Sequence, residues 1–309
     1  VALFSRDRLP RAVTVYEVGP RDGLQNEKTA IPLEAKRAFV QALAAAGLRW
    51  VEATSFVHPK WVPQLADAAD LVKSLERRPG ARYPVLVPNE KGLDRALEVG
   101  CDAVAVFASV TEGFSKRNQN ASVGEVMAGL RPVVERARAA GLWVRGYLSV
   151  VWGCPYEGQV EPAKSRALAR DLVAMGVHEV SLGDTIGVAT PGQVERVVDE
   201  VAQEVPLRQL ALHFHDTRGT ALANVLAGLL VGVTTYDASA GGLGGCPYAP
   251  GASGNLDTCD LLFMLDGLGI ETGVDRDAVR AAAQAVAQAI GRPLPGRYSQ
   301  AGPFAVRGA

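Results

Sequence analysis

Cysteine is scarce: four residues (Cys101, Cys154, Cys246 and Cys259), with no Cys-x-x-Cys spacing among them. That excludes a disulfide framework, makes a thiolate zinc cluster a poor fit, and points to a reduced intracellular compartment. Long apolar runs are also missing, and none approaches the length of a membrane span. Val1-Ala2-Leu3-Phe4-Ser5-Arg6 lacks the apolar core of a signal peptide, so a cytoplasmic location is expected. Net charge is nearly absent, at -1. This argues against nucleic acid or an anionic membrane as partner. No Gly-x-Gly-x-x-Gly follows the first predicted strand, which disfavours a doubly wound open sheet. No low-complexity linker divides the chain, so residues 1–309 are expected to form one domain.

What is present is a core and a rhythm. Hydrophobic residues make up 48% of 309, enough for a large interior. A short apolar or β-branched run, a polar or Gly/Pro loop, and an Ala-rich amphipathic stretch recur from end to end. Predicted strands cover Val13–Val18, Trp50–Thr54, Tyr83–Val87, Ala103–Ala108, Leu142–Val151, Val177–Leu182, Gln209–Phe214 and Val233–Ala238. Predicted helices begin near Leu33, Gln64, Glu90, Val123, Ala163, Pro191, Ala221 and Asp257. About eight strand–helix units predict an α/β fold, a (β/α)₈ TIM barrel, over about residues 13–270. A further helix at Asp275–Ile290 places a C-terminal extension, about residues 274–309, on the barrel rim.

A barrel of this kind carries its chemistry at the C-terminal ends of its strands. The first strand runs into Gly19-Pro20-Arg21-Asp22-Gly23, where Arg21 suits substrate charge and Asp22 a metal; a surface salt bridge is the alternative. Glu52 lies in an apolar strand, where an acid needs a partner. It is expected to orient Arg21 or a metal-bound water, unless it faces solvent. Asp184 ends the sixth strand as a second carboxylate or as a turn cap. His213 and His215, two of four histidines, stand at i and i+2 of the seventh strand, so they share a face and Phe214 takes the other. The eighth strand leads into the glycine-rich loop Gly241–Asn255, which holds Cys246. Asn255 ends it as a helix cap or as a metal-ligating oxygen. An aspartate, two histidines and an asparagine oxygen suit an octahedral divalent ion such as Mg²⁺ or Mn²⁺. Ser115-Lys116-Arg117-Asn118-Gln119-Asn120 is expected as a solvated loop on the same side, able to hold phosphate. His178, Cys101, Cys154 and Cys259 are expected to be structural.

Together these motifs resemble the 3-hydroxy-3-methylglutaryl-CoA (HMG-CoA) lyases of the DRE-TIM metallolyase superfamily. The resemblance rests on Glu17–Lys28, Glu52–Val57, Lys60–Gln64, Gly153–Gly158, Ser181–Val188 and Gly242–Asn255. It implies metal-dependent cleavage of HMG-CoA to acetoacetate and acetyl-CoA, with acyl-CoA as the bound partner and a homodimer as the assembly. It implies Asp22, His213, His215 and Asn255 as metal ligands, and Arg21, oriented by Glu52, as the enolate stabiliser. Asp184 or a metal-side histidine such as His213 takes the hydroxyl proton, and Cys246 returns a proton to carbon. Arg21, Gln25, Asn26 and Lys28 line the substrate. His58 stands where the family usually has serine, and Phe214 where cysteine is common between the histidines. Related readings are a lyase for a longer 3-hydroxy-glutaryl-CoA analogue, an aldolase or Claisen-type synthase, and a barrel that binds metal and acyl-CoA without turnover.

Overall fold

A computed structural model describes residues 8–245 and 254–303. Eight parallel strand positions close into a barrel: β1 (Thr14–Glu17), β2 (Trp50–Val51 and Thr54–Ser55), β3 (Val85–Leu86), β4 (Ala103–Ser109), β5 (Trp143–Ser149), β6 (Glu179–Asp184), β7 (Leu210–Phe214) and β8 (Thr235–Ala238). The predicted second strand is broken at Glu52-Ala53. Its first piece pairs with β1 and its second with β3. Glu52 N donates to Glu17 O on one side, and Ala53 N to Pro84 O on the other, so the break is where the sheet closes on itself. Closure leaves no unpaired edge.

Helices form the outer ring: α1 (Leu33–Ala45), α2 (Ala68–Ser74), α3 (Glu90–Glu98), α4 (Glu112–Gln119), α5 (Val123–Ala139), α6 (Pro162–Met175), α7 (Pro191–Ala202), α8 (Ala221–Leu230) and α9 (Thr258–Gly267). Their starts follow local chemistry. Ser122 and Glu125 form a reciprocal capping box on α5, as Thr190 and Gln193 do on α7, which also takes Pro191 in its first turn. The polar run 115–120 is not a loop. It belongs to α4, which ends at Asn120 in the left-handed conformation (φ 54°). Gln119 docks that helix on the barrel, accepting from Ser109 Oγ and donating to Phe107 O.

Period-2 alternation divides the strand side chains between two environments. Val104, Val106, Val144, Leu148, Val180, Leu182, Leu212 and Phe214 join the helices in the main core. The opposite faces supply Tyr16, Glu52, Arg145, Tyr147, Glu179, Ser181, His213 and Asp237, with a small apolar cluster of Leu86, Ala105 and Tyr147. Tyr16 stacks on Trp50, Trp50 meets Trp143 at 4.2 Å, and Trp143 stacks on His178, plugging the barrel's N-terminal end. Among the described residues no helix is long and apolar enough to cross a membrane.

The C-terminal helix α10 (Arg276–Ile290) starts one residue after the position expected, with Asp275 as its cap, and packs against α1 and α9. The chain then crosses back over the barrel mouth to a short helix, α11 (Arg297–Ala301), which the sequence pattern does not announce. Arg292 pairs with Glu27, Gly296 N donates to Gly241 O, and Tyr298 N donates to Asp260.

Candidate active site

The end of β1 tightens into a single π turn, Gly19–Gly23. Val18 O accepts from the backbone N–H groups of Arg21, Asp22 and Gly23 at 3.2, 2.8 and 3.2 Å. This winding turns Arg21 and Asp22 inward together. It requires glycine at its end, because a Cβ on Gly23 would stand 2.8 Å from Leu243 Cβ and 2.9 Å from Ser239 Oγ. Arg21 Nε then donates to Glu52 Oε1 at 2.6 Å, and Nη1 to Asp22 Oδ1 at 2.7 Å. Glu52 is fully buried and is the orienting partner, not a solvated acid. Burial opposes the charge on Arg21, but Glu52 and Asp22 outweigh it and hold the guanidinium above its ordinary pKa. Arg21 is a fixed cation.

The histidine pair lies where the strand parity puts it. His213 and His215 share a face with ring centroids 5.2 Å apart, while Phe214 packs outward against Trp152. Beyond β7 the chain pairs antiparallel with the descending limb of the glycine-rich loop. His215 opposes Asn255, Leu256 N donates to Phe214 O, and Asp216 N donates to Gly254 O. A Cβ on Gly254 would meet Gly244 O at 2.5 Å, so the two limbs touch backbone to backbone. Asn255 Nδ2 donates to Asp22 Oδ2 at 2.8 Å and to Leu243 O at 3.0 Å. Capping of α9 falls to Asp257, which accepts from Cys259 N, and not to Asn255.

One donor atom each from Asp22, His213 and His215 lie within 4.8 Å of one another. The donor set fits a divalent cation on two observations. Asn255 Oδ1 and His215 Nδ1 are buried with no hydrogen-bond partner. Two buried guanidiniums, Arg21 and Arg145, face four carboxylates, Asp22, Glu52, Glu179 and Asp237. At the strand ends, Asp22 and Glu52 around the single Arg21 leave an excess of negative charge that a cation would balance. Burial, and then His213, push His215 down to about 3, so its imidazole is neutral and no proton competes for it. Burial opposes the charge on Asp22, but the Arg21 guanidinium leads the groups that outweigh it and hold the carboxyl below its ordinary pKa.

Asp184 caps the turn after β6. Its two oxygens accept from Val188 N at 3.0 Å and Ala189 N at 2.8 Å, which anchors the loop after β6. Gln25 binds Asp22 Oδ1, Asn26 donates to Gly245 O, and Lys28 is exposed beyond them. Cys246 lies outside the described residues. Cys101, Cys154 and Cys259 are buried, with Cys154 Sγ accepting from Thr111 Oγ1. An open recess of about 340 Å³, lined by Gly244, Gly254, Arg292, Leu294 and Gln300, adjoins Asn255. At the mouth, His58 is exposed, and its Nδ1 accepts from Lys60 N, as a serine oxygen in that position would.

Several buried groups behind the site escape the sequence reading. Asp237 on β8 accepts from His213 Nδ1, Ser181 and Arg145. Tyr147 donates to Glu52. Glu17 accepts from Gly19 N, Ala240 N and Thr258 Oγ1, so one carboxylate joins the π turn, the start of the glycine-rich loop and α9. The available signal was parity, because Asp237, Arg145 and Tyr147 fall on the strand positions that face inward once the barrel is closed.

Burial pushes Glu17 from 4.5 up to about 7, against the three donors. Between those values the folded chain holds a proton that the unfolded chain has released. The associated stability, on the order of 3 kcal/mol, is complete below the lower value and lost as pH rises through the upper one. Denaturant unfolding of Glu17→Gln is therefore expected to show a flatter stability profile than the parent between about pH 5 and about pH 8. Parallel profiles would contradict the assignment.

A family model described as HMGL-like matches residues 12–286. The mitochondrial hydroxymethylglutaryl-CoA lyase of Bos taurus is 52% identical over 275 residues, 89% of this chain and 85% of that protein. The 3-hydroxy-3-isohexenylglutaryl-CoA/hydroxy-methylglutaryl-CoA lyase of Pseudomonas aeruginosa is 52% identical over 271 residues, 88% of this chain and 90% of that one. The crystal structure of hydroxymethylglutaryl-CoA lyase from Pseudomonas aeruginosa superposes with a TM-score of 0.93 at 50% identity, covering 95% of this chain and 98% of that one. With about half its residues shared with these proteins over nearly their whole length, the chain belongs to the HMGL-like family.

Proposed function

We propose that the chain is a divalent-metal-dependent carbon–carbon lyase that cleaves HMG-CoA to acetoacetate and acetyl-CoA by a retro-Claisen reaction. The observation that carries this is the convergence of Asp22, His213 and His215 beside an arginine held by a buried glutamate. Relatives named for this activity, at about half identity, support it. Asp22, His213, His215 and Asn255 hold the cation, Mg²⁺ or Mn²⁺. Bound there, it supplies Lewis acidity that lowers the pKa of the substrate's tertiary hydroxyl.

The chain's own groups manage the remaining charge. The hydroxyl loses its proton, its oxygen becomes the ketone of acetoacetate, and the C2–C3 bond breaks. The bonding pair passes to the thioester half as an enolate. Arg21, fixed by Glu52 and Asp22, meets the charge that develops on the thioester oxygen. Asp184, whose two oxygens also anchor Val188 N and Ala189 N, receives the hydroxyl proton, because ligation of the cation and the bond to Asp237 leave His213 no free lone pair. Cys246, on the glycine-rich loop, returns a proton to the enolate carbon and completes acetyl-CoA. Gln25, Asn26 and Lys28 border the acyl-CoA. The whole chain acts as one catalytic domain, assembled as a cytoplasmic homodimer in leucine degradation and ketone-body formation.

A second reading is a longer-chain 3-hydroxy-glutaryl-CoA substrate. It is favoured by the Pseudomonas relative's double name and by His58 at the mouth. Parallel assays separate the readings: HMG-CoA, an isohexenyl analogue, and a 2-oxo acid with acetyl-CoA in the condensing direction. Acetyl-CoA release fastest from HMG-CoA is expected. A kcat/KM at least tenfold higher for the isohexenyl analogue would transfer the assignment, and condensation alone would overturn the lyase.

A further inference from the structure

The barrel interior contains a buried carboxylate that the proposed chemistry does not use. Asp237 on β8 is 2% exposed, and its register places it directly beside His213 of β7. Its Oδ2 lies 3.1 Å from His213 Nδ1 and accepts from Ser181 Oγ at 3.0 Å, and its Oδ1 accepts from Arg145 Nη2 at 2.6 Å. Arg145 is itself immobilised. It is fully buried, pairs with Glu179 at 3.1 Å, and lies 3.7 Å from the centroid of Tyr16. Among the described residues, the other hydrogen bonds to this carboxylate come from donors, Ser181 Oγ and Arg145 Nη2. A carboxylate so placed can only accept, so His213 Nδ1 must be the nitrogen that carries hydrogen. The Nε2 lone pair is thereby committed to the other side of the ring.

We infer that Asp237 is a positioning residue, which holds His213 in the Nδ1–H tautomer so that Nε2 is presented to the cation. The inference rests on the metal-centre reading above and deepens it, because a ligating imidazole needs one free lone pair in a fixed direction. Asn in place of Asp237 has the same shape but can offer Nδ1 an N–H, which favours the opposite tautomer. The same Arg145 contacts Tyr147 Oη at 3.3 Å, and Tyr147 donates to Glu52, the partner of Arg21. One buried guanidinium therefore braces the metal side and the Arg21 side of the site together.

The test reads the tautomer directly, without substrate. The full chain is labelled with ¹⁵N-histidine, and its four histidines are assigned by removing His58, His178 and His215 in turn. Two-bond ¹⁵N–¹H correlation of the metal-free protein is expected to show His213 protonated on Nδ1. Protonation on Nε2 in the unaltered protein would overturn the inference with no variant needed. In Asp237→Asn the tautomer is expected to switch, and Mn²⁺ affinity to fall about 10- to 100-fold, the scale of losing such a partner. Asp237→Glu is expected to restore Nδ1–H. Unchanged tautomer and Mn²⁺ affinity in a folded Asp237→Asn would also overturn it. If the unaltered protein shows the Nδ1–H tautomer and binds Mn²⁺ yet does not cleave HMG-CoA, the lyase reading fails and the positioning role stands.

Discussion

Arg21→Met is expected to lose at least about 10²-fold in kcat, the scale of removing one preorganised electrostatic stabiliser. Arg21 is 7% exposed, its Nε and Nη1 are already directed by Glu52 and Asp22, and its charge is fixed by them. Such a group needs no reorganisation when the enolate forms, so its contribution falls on kcat rather than on KM. Truncation also leaves Glu52 as a buried acid without its cation, which costs about 3–5 kcal/mol of stability. Arg21→Lys separates the two effects. It keeps a positive charge near Glu52 but not the planar fork, and is expected to fold as the parent does while remaining slow. A raised KM with kcat retained in Arg21→Met would remove the role.

His215→Ala is the second large effect. His215 is 2% exposed and neutral, and its backbone N–H donates to Asp184 O, so its imidazole is held in the cluster it shares with Asp22. Losing one ligand is expected to weaken Mn²⁺ binding by more than about 100-fold, as judged against the 10- to 100-fold typical of groups one shell further out. Lewis-acid stabilisation is worth several kcal/mol, so kcat at accessible metal concentrations is expected to fall by about 10³-fold. Titration with Mn²⁺ and acetyl-CoA release measure the two. A variant within tenfold of the parent in both would take His215 out of the ligand set.

The parts of this site that the sequence makes legible are those carried by local geometry. His213 and His215 follow from strand parity alone, and Arg21 and Asp22 from adjacency at a strand end. Phe214 turns outward for the same reason. What stays hidden depends on closure. Asp237, Arg145 and Tyr147 look like charged or polar residues in ordinary strands until eight strands form a ring and give them a shared interior. Glu17 is hidden differently, since its donors come from Gly19, Ala240 and Thr258, and the last two lie more than 220 positions away. The helix at Glu112–Gln119 was hidden by its polarity, because its anchoring is a single core side chain, Phe114, with Gln119 on the barrel, and not an apolar stripe. Asp184 carried two readings, and only the positions of Val188 and Ala189 reveal the turn cap.

The central claim is that the cluster of Asp22, His213, His215 and Asn255 is a metal centre that serves carbon–carbon cleavage. Its most direct test is to strip the protein of metal with a chelator, supply HMG-CoA, and add back Mg²⁺ or Mn²⁺. No products before addition, and acetoacetate and acetyl-CoA released in equal amounts after it, are predicted. Binding of both the metal and the acyl-CoA without release of either product would contradict it.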